Sequence, residues 1–231
     1  MAFKKKSSHK IAYLAIILLI VLVASAVAVI FAMQPSTKVV VGVHVGDTFT
    51  YELHGYSYLQ GLGAVDTEGF SRYNDTDYYS VTITDVTGTT VSLDTVWALK
   101  NGTQYTDRQT IDLANGNKTN TTTGFWAIYA SNLNVGQLTR PKGFDTVTVN
   151  ATNVMDYANS SRPLNYMYTG GESKLMTDPS GSTLRYDSVN VYFDKKSGML
   201  ESMTWITDYN NPEMREIISW TLVNTSVWTV Q

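Results

Sequence analysis

The sequence predicts an all-β domain preceded by one membrane-spanning helix, and three observations lead to this fold class. A long uncharged apolar segment stands near the start of the chain. The remainder is rich in Val, Thr, Tyr, Phe and Trp, which favour strands, and is interrupted at short intervals by Gly, Asn and Asp, which favour turns. The 231 residues include no cysteine, so packing rather than disulfides must stabilise the domain.

The apolar segment runs from Ile11 to Met33 without a charge. As an α-helix it would be ~34 Å long, enough to cross a hydrocarbon core of ~30 Å. Lysines on its N-terminal side predict a cytoplasmic N-terminus by the positive-inside rule. The sequence therefore predicts a single-pass protein of the cell membrane with a cytoplasmic basic segment at 1–10, a transmembrane signal anchor at 11–33, a stalk at 34–38 and an extracellular β-domain at 39–231.

A cleaved signal peptide is the alternative interpretation of this segment. Small residues at Ala24-Ser25-Ala26 and at Ala26-Val27-Ala28 have the spacing of cleavage sites. The apolar run continues through Val29-Ile30-Phe31, where a signal peptide would already have become polar. This continuation favours the uncleaved anchor.

Charge is distributed unevenly along the chain. The net charge is −3, and the four lysines at 4, 5, 6 and 10 precede the apolar segment, whereas all 20 acidic residues follow it. Without these lysines the remainder carries a net charge of −7. Because an acidic domain is repelled by phosphate backbones, we do not expect a nucleic-acid partner.

Nine segments beyond the stalk have the composition and turn boundaries of strands. We expect them to form one antiparallel, curved meander sheet of about nine or ten strands with a short helix. Alternation of Val189, Val191 and Phe193 with polar residues predicts that one face of the sheet is packed. The segments are Thr48–Tyr58, Tyr78–Val86, Thr89–Lys100, Thr103–Leu113, Thr146–Met155, Leu164–Tyr168, Thr183–Asp194, Met199–Tyr209 and Met214–Val223.

Three local features refine this prediction. Asn101-Gly102 indicates a two-residue type I′ hairpin turn, which needs positive φ at both positions. Phe125–Leu133 is interpreted as a short helix lying on the sheet, with a buried strand as the alternative. An internal echo links Val45–Phe49 to Val135–Leu138, either as two similar halves of the sheet or as two ordinary glycine turns.

Four short motifs follow one another along the predicted β-domain. They are Val45-Gly46-Asp47-Thr48-Phe49-Thr50-Tyr51, Asn101-Gly102-Thr103, Asn132-Leu133-Asn134-Val135-Gly136 and Tyr192-Phe193-Asp194-Lys195-Lys196-Ser197-Gly198. In the order of these motifs the chain resembles a group of archaeal extracellular proteins. That group is signal-anchored and has no assigned activity, and Gln137 departs from its frequent Asp. The layout is also similar to lipoprotein carriers of the LolA or LppX kind. This similarity implies a sheet that holds a lipid against short helices.

Candidate metal ligands are few. His44 and His54, with Asp47 or Glu52, form a weak zinc candidate, and ordinary surface histidines are the alternative interpretation. Oxygen donors at Asn74–Asp77 and at Asp112, Asn115 and Asn117 suggest loop-bound calcium, although turn chemistry explains them equally well. Neither calcium candidate has the EF-hand spacing. We therefore assign no metal or cofactor to the chain.

No catalytic set stands out in the sequence. The carboxylates are scattered, no Ser lies in a Gly-x-Ser-x-Gly motif, and no glycine-rich phosphate loop opens a helix. An enzyme is therefore unsupported. An extracytoplasmic hydrolase with a carboxylate pair that sequence cannot identify is the alternative function.

Seven Asn-x-Ser/Thr sequons predict glycosylation of an exported domain. They lie at Asn74, Asn101, Asn117, Asn120, Asn150, Asn159 and Asn224.

Tyrosine clusters at 51, 56 and 58, at 78 and 79, and at 166 and 168 suit a sugar or a partner surface, or simply cover half-buried strands. The leading hypothesis is a non-enzymatic binding or structural module at the cell surface. Besides the bilayer at 11–33, its partners would be a surface protein, a glycan or an apolar ligand such as a lipid.

Overall fold

A computed structural model describes residues 38–60, 71–119, 128–157, 160–174, 184–211 and 213–230, together with Ile16 and Ile17. The chain divides into two compact units, residues 1–38 and 39–231, and the second is described below. Apart from Ile16 and Ile17, which are helical, the predicted anchor lies outside the described residues. Among the described residues, no helix has the length and apolar character needed to span a bilayer.

The second unit is an antiparallel sheet of ten described strands, as the sequence predicts. One four-residue helix, α1 (Ser71–Asn74), precedes the second strand. The strands are β1 (Thr48–Gln60), β2 (Thr76–Thr87), β3 (Thr90–Leu99), β4 (Gln104–Asp112), β5 (Lys118–Thr119), β6 (Ala151–Tyr157), β7 (Ser160–Lys174), β8 (Leu184–Asp194), β9 (Leu200–Asn210) and β10 (Glu213–Thr225).

The spatial order of the strands is β5-β4-β3-β2-β1-β10-β9-β8-β7-β6. The sheet therefore consists of two five-stranded meanders that are joined where β1 pairs with β10. The first meander runs from the centre of the sheet to one edge, and the second runs from the opposite edge back to the centre. The sequence predicts the meanders, but not the central pairing of the first and last strands.

Turn chemistry at the hairpins explains why these strands pair. Gly88 has a φ of 62° at the first central position of the β2–β3 turn, where a type II′ turn needs positive φ. Asn101-Gly102 joins β3 to β4 as predicted, but four residues, 100–103, lie between the two strands, and Gly102 rather than Asn101 has positive φ. The amide of Gly102 donates to the carbonyl of Leu99 at 2.8 Å. The predicted type I′ turn is therefore wrong, although the hairpin is confirmed.

The sheet has an inner face that carries the core and an outer face that meets solvent. Strand alternation places Tyr51 and Leu53 of β1 on the inner face beside Trp220 and Leu222 of β10. Tyr51 is fully buried and donates from its hydroxyl to the carbonyl of Leu200 at 2.9 Å. Burial of such large side chains supplies most of the favourable free energy of folding.

A crossover segment, residues 128–150, connects the two meanders and packs on the inner face. Its described part contains only isolated bridges, Ile128 to Met199, Ser131 to Val40 and Leu138 to Thr148. The helix interpreted at Phe125–Leu133 is therefore not present over 128–133, and residues 125–127 lie outside the described part. The strand predicted from Thr146 begins only at Ala151, because residues 146–150 still belong to the crossover segment.

The internal echo proves to be a repeated local turn. In the first copy the carboxylate of Asp47 accepts from the amide of His44 at 2.8 Å, and in the second the side chain of Gln137 accepts from the amide of Asn134 at 2.7 Å. The glycine between has a φ of 95° at Gly46 and 83° at Gly136. One turn precedes β1 and the other lies in the crossover segment. The echo therefore marks two similar glycine turns and not two similar halves of the sheet.

Gly198, in the β8–β9 turn, allows the crossover segment to approach closely. Its φ is 78°, and an added Cβ would lie 2.1 Å from the carbonyl oxygen of Tyr129. Gly102 has a similar φ of 85°, but an added Cβ there meets nothing within 4 Å. Substitutions at these two glycines therefore separate the cost of backbone strain, which both share, from the cost of a steric clash, which only Gly198 has.

We predict that Gly198→Ala lowers the free energy of unfolding by about 3 kcal/mol or more, because backbone strain and overpacking add. Gly102→Ala should cost about 1 kcal/mol from backbone conformation alone. Urea denaturation of both variants measures the difference. Equal losses would show that the crossover does not pack against Gly198.

Candidate functional site

A cavity of about 430 Å³ lies between the inner face of β7–β10 and the crossover segment. Apolar atoms form most of its wall. On the sheet side its residues are Met167, Thr169, Val189, Val191, Met203, Trp205, Ile218 and Trp220, and on the other side Tyr73, Tyr129, Thr139, Arg140, Asp145 and Val147.

Strand register builds the sheet side of the cavity in two rows. Met167, Val191, Met203 and Trp220 are paired across the four strands, and Thr169, Val189, Trp205 and Ile218 form the next row. Their alternation along each strand is the period of two that the sequence shows in β8. Val189, Met203 and Ile218 are only partly buried, since the crossover leaves space above them.

The crossover segment supplies the opposite wall of the cavity. Tyr129 packs on Phe193 of β8, with ring centroids 4.8 Å apart. Arg140 forms an ion pair with Asp145, and its guanidinium lies 5.9 Å from the ring of Tyr129. Because the two charges are paired, the cavity presents a polar group without net charge at this wall.

Tyr73 of α1 closes one side of the cavity. Its ring lies 6.4 Å from that of Trp220 and 5.7 Å from that of Trp97. Asn74, the next residue, binds the backbone of Gly55: its Oδ1 accepts from the Gly55 amide at 3.0 Å, and its Nδ2 donates to the Gly55 carbonyl. This side chain fixes the short helix on β1.

A network of polar side chains borders the cavity beyond Trp205. Asp187 Oδ1 accepts from Trp205 Nε1 at 3.0 Å, from Thr207 Oγ1 at 2.8 Å and from Arg185 Nη2 at 2.9 Å. Burial alone would raise the pKa of Asp187, but the hydrogen bonds and the charge of Arg185 outweigh it and lower the pKa. Asp187 is therefore held as a carboxylate.

Glu216 stands on the same face as Asp187, with Thr207 between them in the strand register. It is buried and accepts from the hydroxyl of Tyr209 at 3.3 Å. The structure thus places two carboxylates that are 29 positions apart in sequence in one row of the sheet, with one strand between them. A hydrolase would use such a pair as acid and base, and would need one of them to have a raised pKa.

The candidate metal ligands remain apart. His44 lies 3.8 Å from Asp47 and His54 lies 3.7 Å from Glu52, as two separate pairs. Asp112 Oδ1 accepts from Thr89 and from the amide of Ala114, which is turn chemistry. Within the described part of the chain, no group of three or more His, Asp or Glu side chains is close enough to hold a metal ion.

The predicted glycosylation sites differ in their surroundings. Asn101, Asn117, Asn150 and Asn224 are exposed. Asn74 is also exposed, but its amide group is bound to Gly55, and a sugar on Nδ2 would compete with that contact. Asn120 and Asn159 lie outside the described residues.

The tyrosine clusters divide between the two faces. Tyr51 and Tyr79 are fully buried in the core, whereas Tyr56, Tyr58 and Tyr168 are exposed on the outer face. Both interpretations of the clusters therefore apply, each to different residues. The sequence does not single out Trp205, Trp220 or Arg140, because Ile206 interrupts the alternation of apolar and polar residues in β9 that is clear in β8.

Comparison with known proteins gives no relative from which a function could be transferred. No protein-family model matches the chain. No curated protein matches it significantly. The function must therefore be argued from the site itself.

Burial raises the pKa of Tyr129 to about 12, with Arg140 opposing and Asp145 adding to the shift. An unfolded tyrosine ionises near pH ~10, so the stability that Tyr129 contributes is complete below ~10 and is lost as pH rises to about 12. We predict that wild type loses about 2 kcal/mol more unfolding free energy than Tyr129→Phe between pH ~9 and ~12. Urea denaturation of both proteins across this range measures it, and parallel curves would contradict it.

Proposed function

We propose that the chain is a membrane-anchored cell-surface protein whose β-domain binds a small apolar molecule in the cavity between β7–β10 and the crossover segment. The cavity itself carries this proposal: about 430 Å³ of partly open space is bordered mainly by aliphatic and aromatic side chains. Ligand pockets are usually ~300–1,000 Å³, mostly apolar, with few polar groups. If the inner face of the sheet served only as a hydrophobic core, close packing would not leave an unfilled space of this size between large side chains.

The polar groups at the cavity support an uncharged ligand. Arg140 and Asp145 neutralise each other, and the carboxylate of Asp187 is already occupied by its three donors. A charged ligand would lose its hydration without gaining an unpaired counter-charge. An acyl chain or another apolar molecule of similar size meets these conditions.

The alternative of an extracytoplasmic hydrolase is supported only by the placement of Asp187 and Glu216. A general acid must hold a proton near neutral pH, and its pKa must therefore be raised. The pKa of Asp187 is lowered instead. Asp187 is therefore unsuited to act as the general acid, and the cavity leads us to favour binding over hydrolysis.

Native mass spectrometry tests the binding function first. Residues 35–231 are released by mild proteolysis from membranes of the protein's own host. A reproducible extra mass that extracts into organic solvent is expected. If sugar on the sequons accounts for all extra mass, the apolar ligand is refuted.

Substitution inside the cavity should abolish binding of an apolar fluorescent probe such as phenylnaphthylamine. We predict that Val189→Phe, which fills the cavity, weakens binding about tenfold or more, equivalent to about 1.4 kcal/mol. Ser188→Phe is the matched control, because the adjacent side chain lies on the outer face of β8. The proposal fails if both variants bind the probe like wild type.

The proposed anchor predicts the behaviour of the whole chain in membranes. Alkaline carbonate should leave the protein in the membrane pellet, because a transmembrane helix is not removed by high pH. Protease added to intact cells should digest residues 39–231. Release of the protein by carbonate would contradict the anchor and favour a cleaved signal peptide.

A further inference from the structure

The outer face of the sheet carries a groove of about 660 Å³ that the apolar cavity does not explain. Strand register places five of its residues in one row across β7, β8, β9, β10 and β1. In order they are Glu172, Tyr186, Asp208, Arg215 and Tyr58, and we call this row the tyrosine groove. It lies on the opposite side of the sheet from the cavity.

An exposed aromatic ring stands on each side of the groove. Tyr58 is 51% exposed and Tyr186 is 42% exposed. Three strand spacings separate them, which is ~14 Å. Each ring is supported from behind: Tyr56 packs against Tyr58 with centroids 5.0 Å apart, and the hydroxyls of Tyr168 and Tyr186 are 3.0 Å apart. The rings are therefore positioned before any ligand binds.

Gly170 makes room for one of these supports. An added Cβ at this position would lie 2.8 Å from the hydroxyl oxygen of Tyr168. With a larger residue there, the side chain of Tyr168 would have to shift from this position.

A flat ion pair forms the floor between the rings. Arg215 donates from Nε to Asp208 Oδ1 at 2.6 Å and from Nη2 to Asp208 Oδ2 at 3.0 Å. The carboxylate raises the pKa of Arg215, so the guanidinium stays charged. The remaining N–H groups of Arg215 have no partner among the described residues, and they lie in the plane of the pair.

We infer that the tyrosine groove binds a short neutral oligosaccharide. Sugar rings offer apolar C–H faces to tyrosine and hydroxyl groups to a planar pair of donors and acceptors. Glu172 and Glu213 add negative charge at the rim, which disfavours uronic acids, sulfated sugars and nucleic acids. This function is independent of the apolar ligand, because it uses the other face of the sheet.

Calorimetric titration of the full chain in phosphatidylcholine nanodiscs tests the inference. The probes are three neutral trisaccharides, cellotriose, mannotriose and triacetylchitotriose, and one anionic trisaccharide, trigalacturonate. Saturable binding of at least one neutral probe is expected, with no saturable binding of trigalacturonate. Absence of binding by every neutral probe, or equal binding of the anionic one, overturns the inference.

Variants locate the site. Tyr58→Ala and Tyr186→Ala should each weaken binding about tenfold, because each removes one stacking surface. Tyr105→Ala is the matched control, since Tyr105 is similarly exposed, at 39%, but lies on β4 in the other half of the sheet. Equal binding by all three variants overturns the assignment to the groove.

The sugar could be external or could be carried by the sequons of the chain itself. The same titration is therefore made on protein from the native host and on protein from a bacterium without N-glycosylation. Equal affinities identify an external oligosaccharide. Weaker binding by the host protein, restored after enzymatic removal of its glycans, identifies the chain's own sugar as the occupant.

Discussion

The pairing of β1 with β10 is the constraint on which the rest of the structure depends. Twelve residues of β1 have partners on β10, and the two strands come from opposite ends of the domain's sequence. This pairing places β5 and β6 at opposite edges of the sheet. The chain must then cross one face of the sheet to pass between them, and residues 128–150 do so. The topology therefore supplies the wall of the cavity, and the cavity is the space that remains where the crossover does not contact the sheet.

Local signals predict much of this fold. Turn residues and alternation predict nine of the ten described strands, because hairpin turns depend on neighbouring residues. The strand predicted at Leu164–Tyr168 is much longer, Ser160–Lys174, and the one predicted from Thr146 begins at Ala151. They miss β5, since two residues are too few to show a period. They also fail over the described part of the Phe125–Leu133 segment, residues 128–133, where Ile128 and Tyr129 pack against the sheet outside any regular element. The β1–β10 pairing has no local signal, because it depends on residues more than 150 positions apart.

The site is less predictable than the fold for a related reason. Val189 and Val191 are recognisable as inward-facing residues, but a cavity is space that other side chains leave unfilled. Its volume depends on where Tyr129 and Arg140 of the crossover come to lie. The tyrosine groove likewise depends on register. Tyr56 and Tyr58 form a visible cluster in the sequence, whereas Tyr186 joins them only when β8, β9 and β10 are aligned.

One set of polar contacts fixes that alignment. Asp187 of β8 accepts from Trp205 and Thr207 of β9 on the inner face, between the apolar cavity and Glu216. If β8 slipped by one residue, Asp187 would turn to the outer face and Tyr186 would enter the core. The slip would break these hydrogen bonds, leave the buried hydroxyl of Thr207 unpaired and remove Tyr186 from the groove. The network that makes Asp187 a poor acid is thus the one that keeps both faces of the sheet in register.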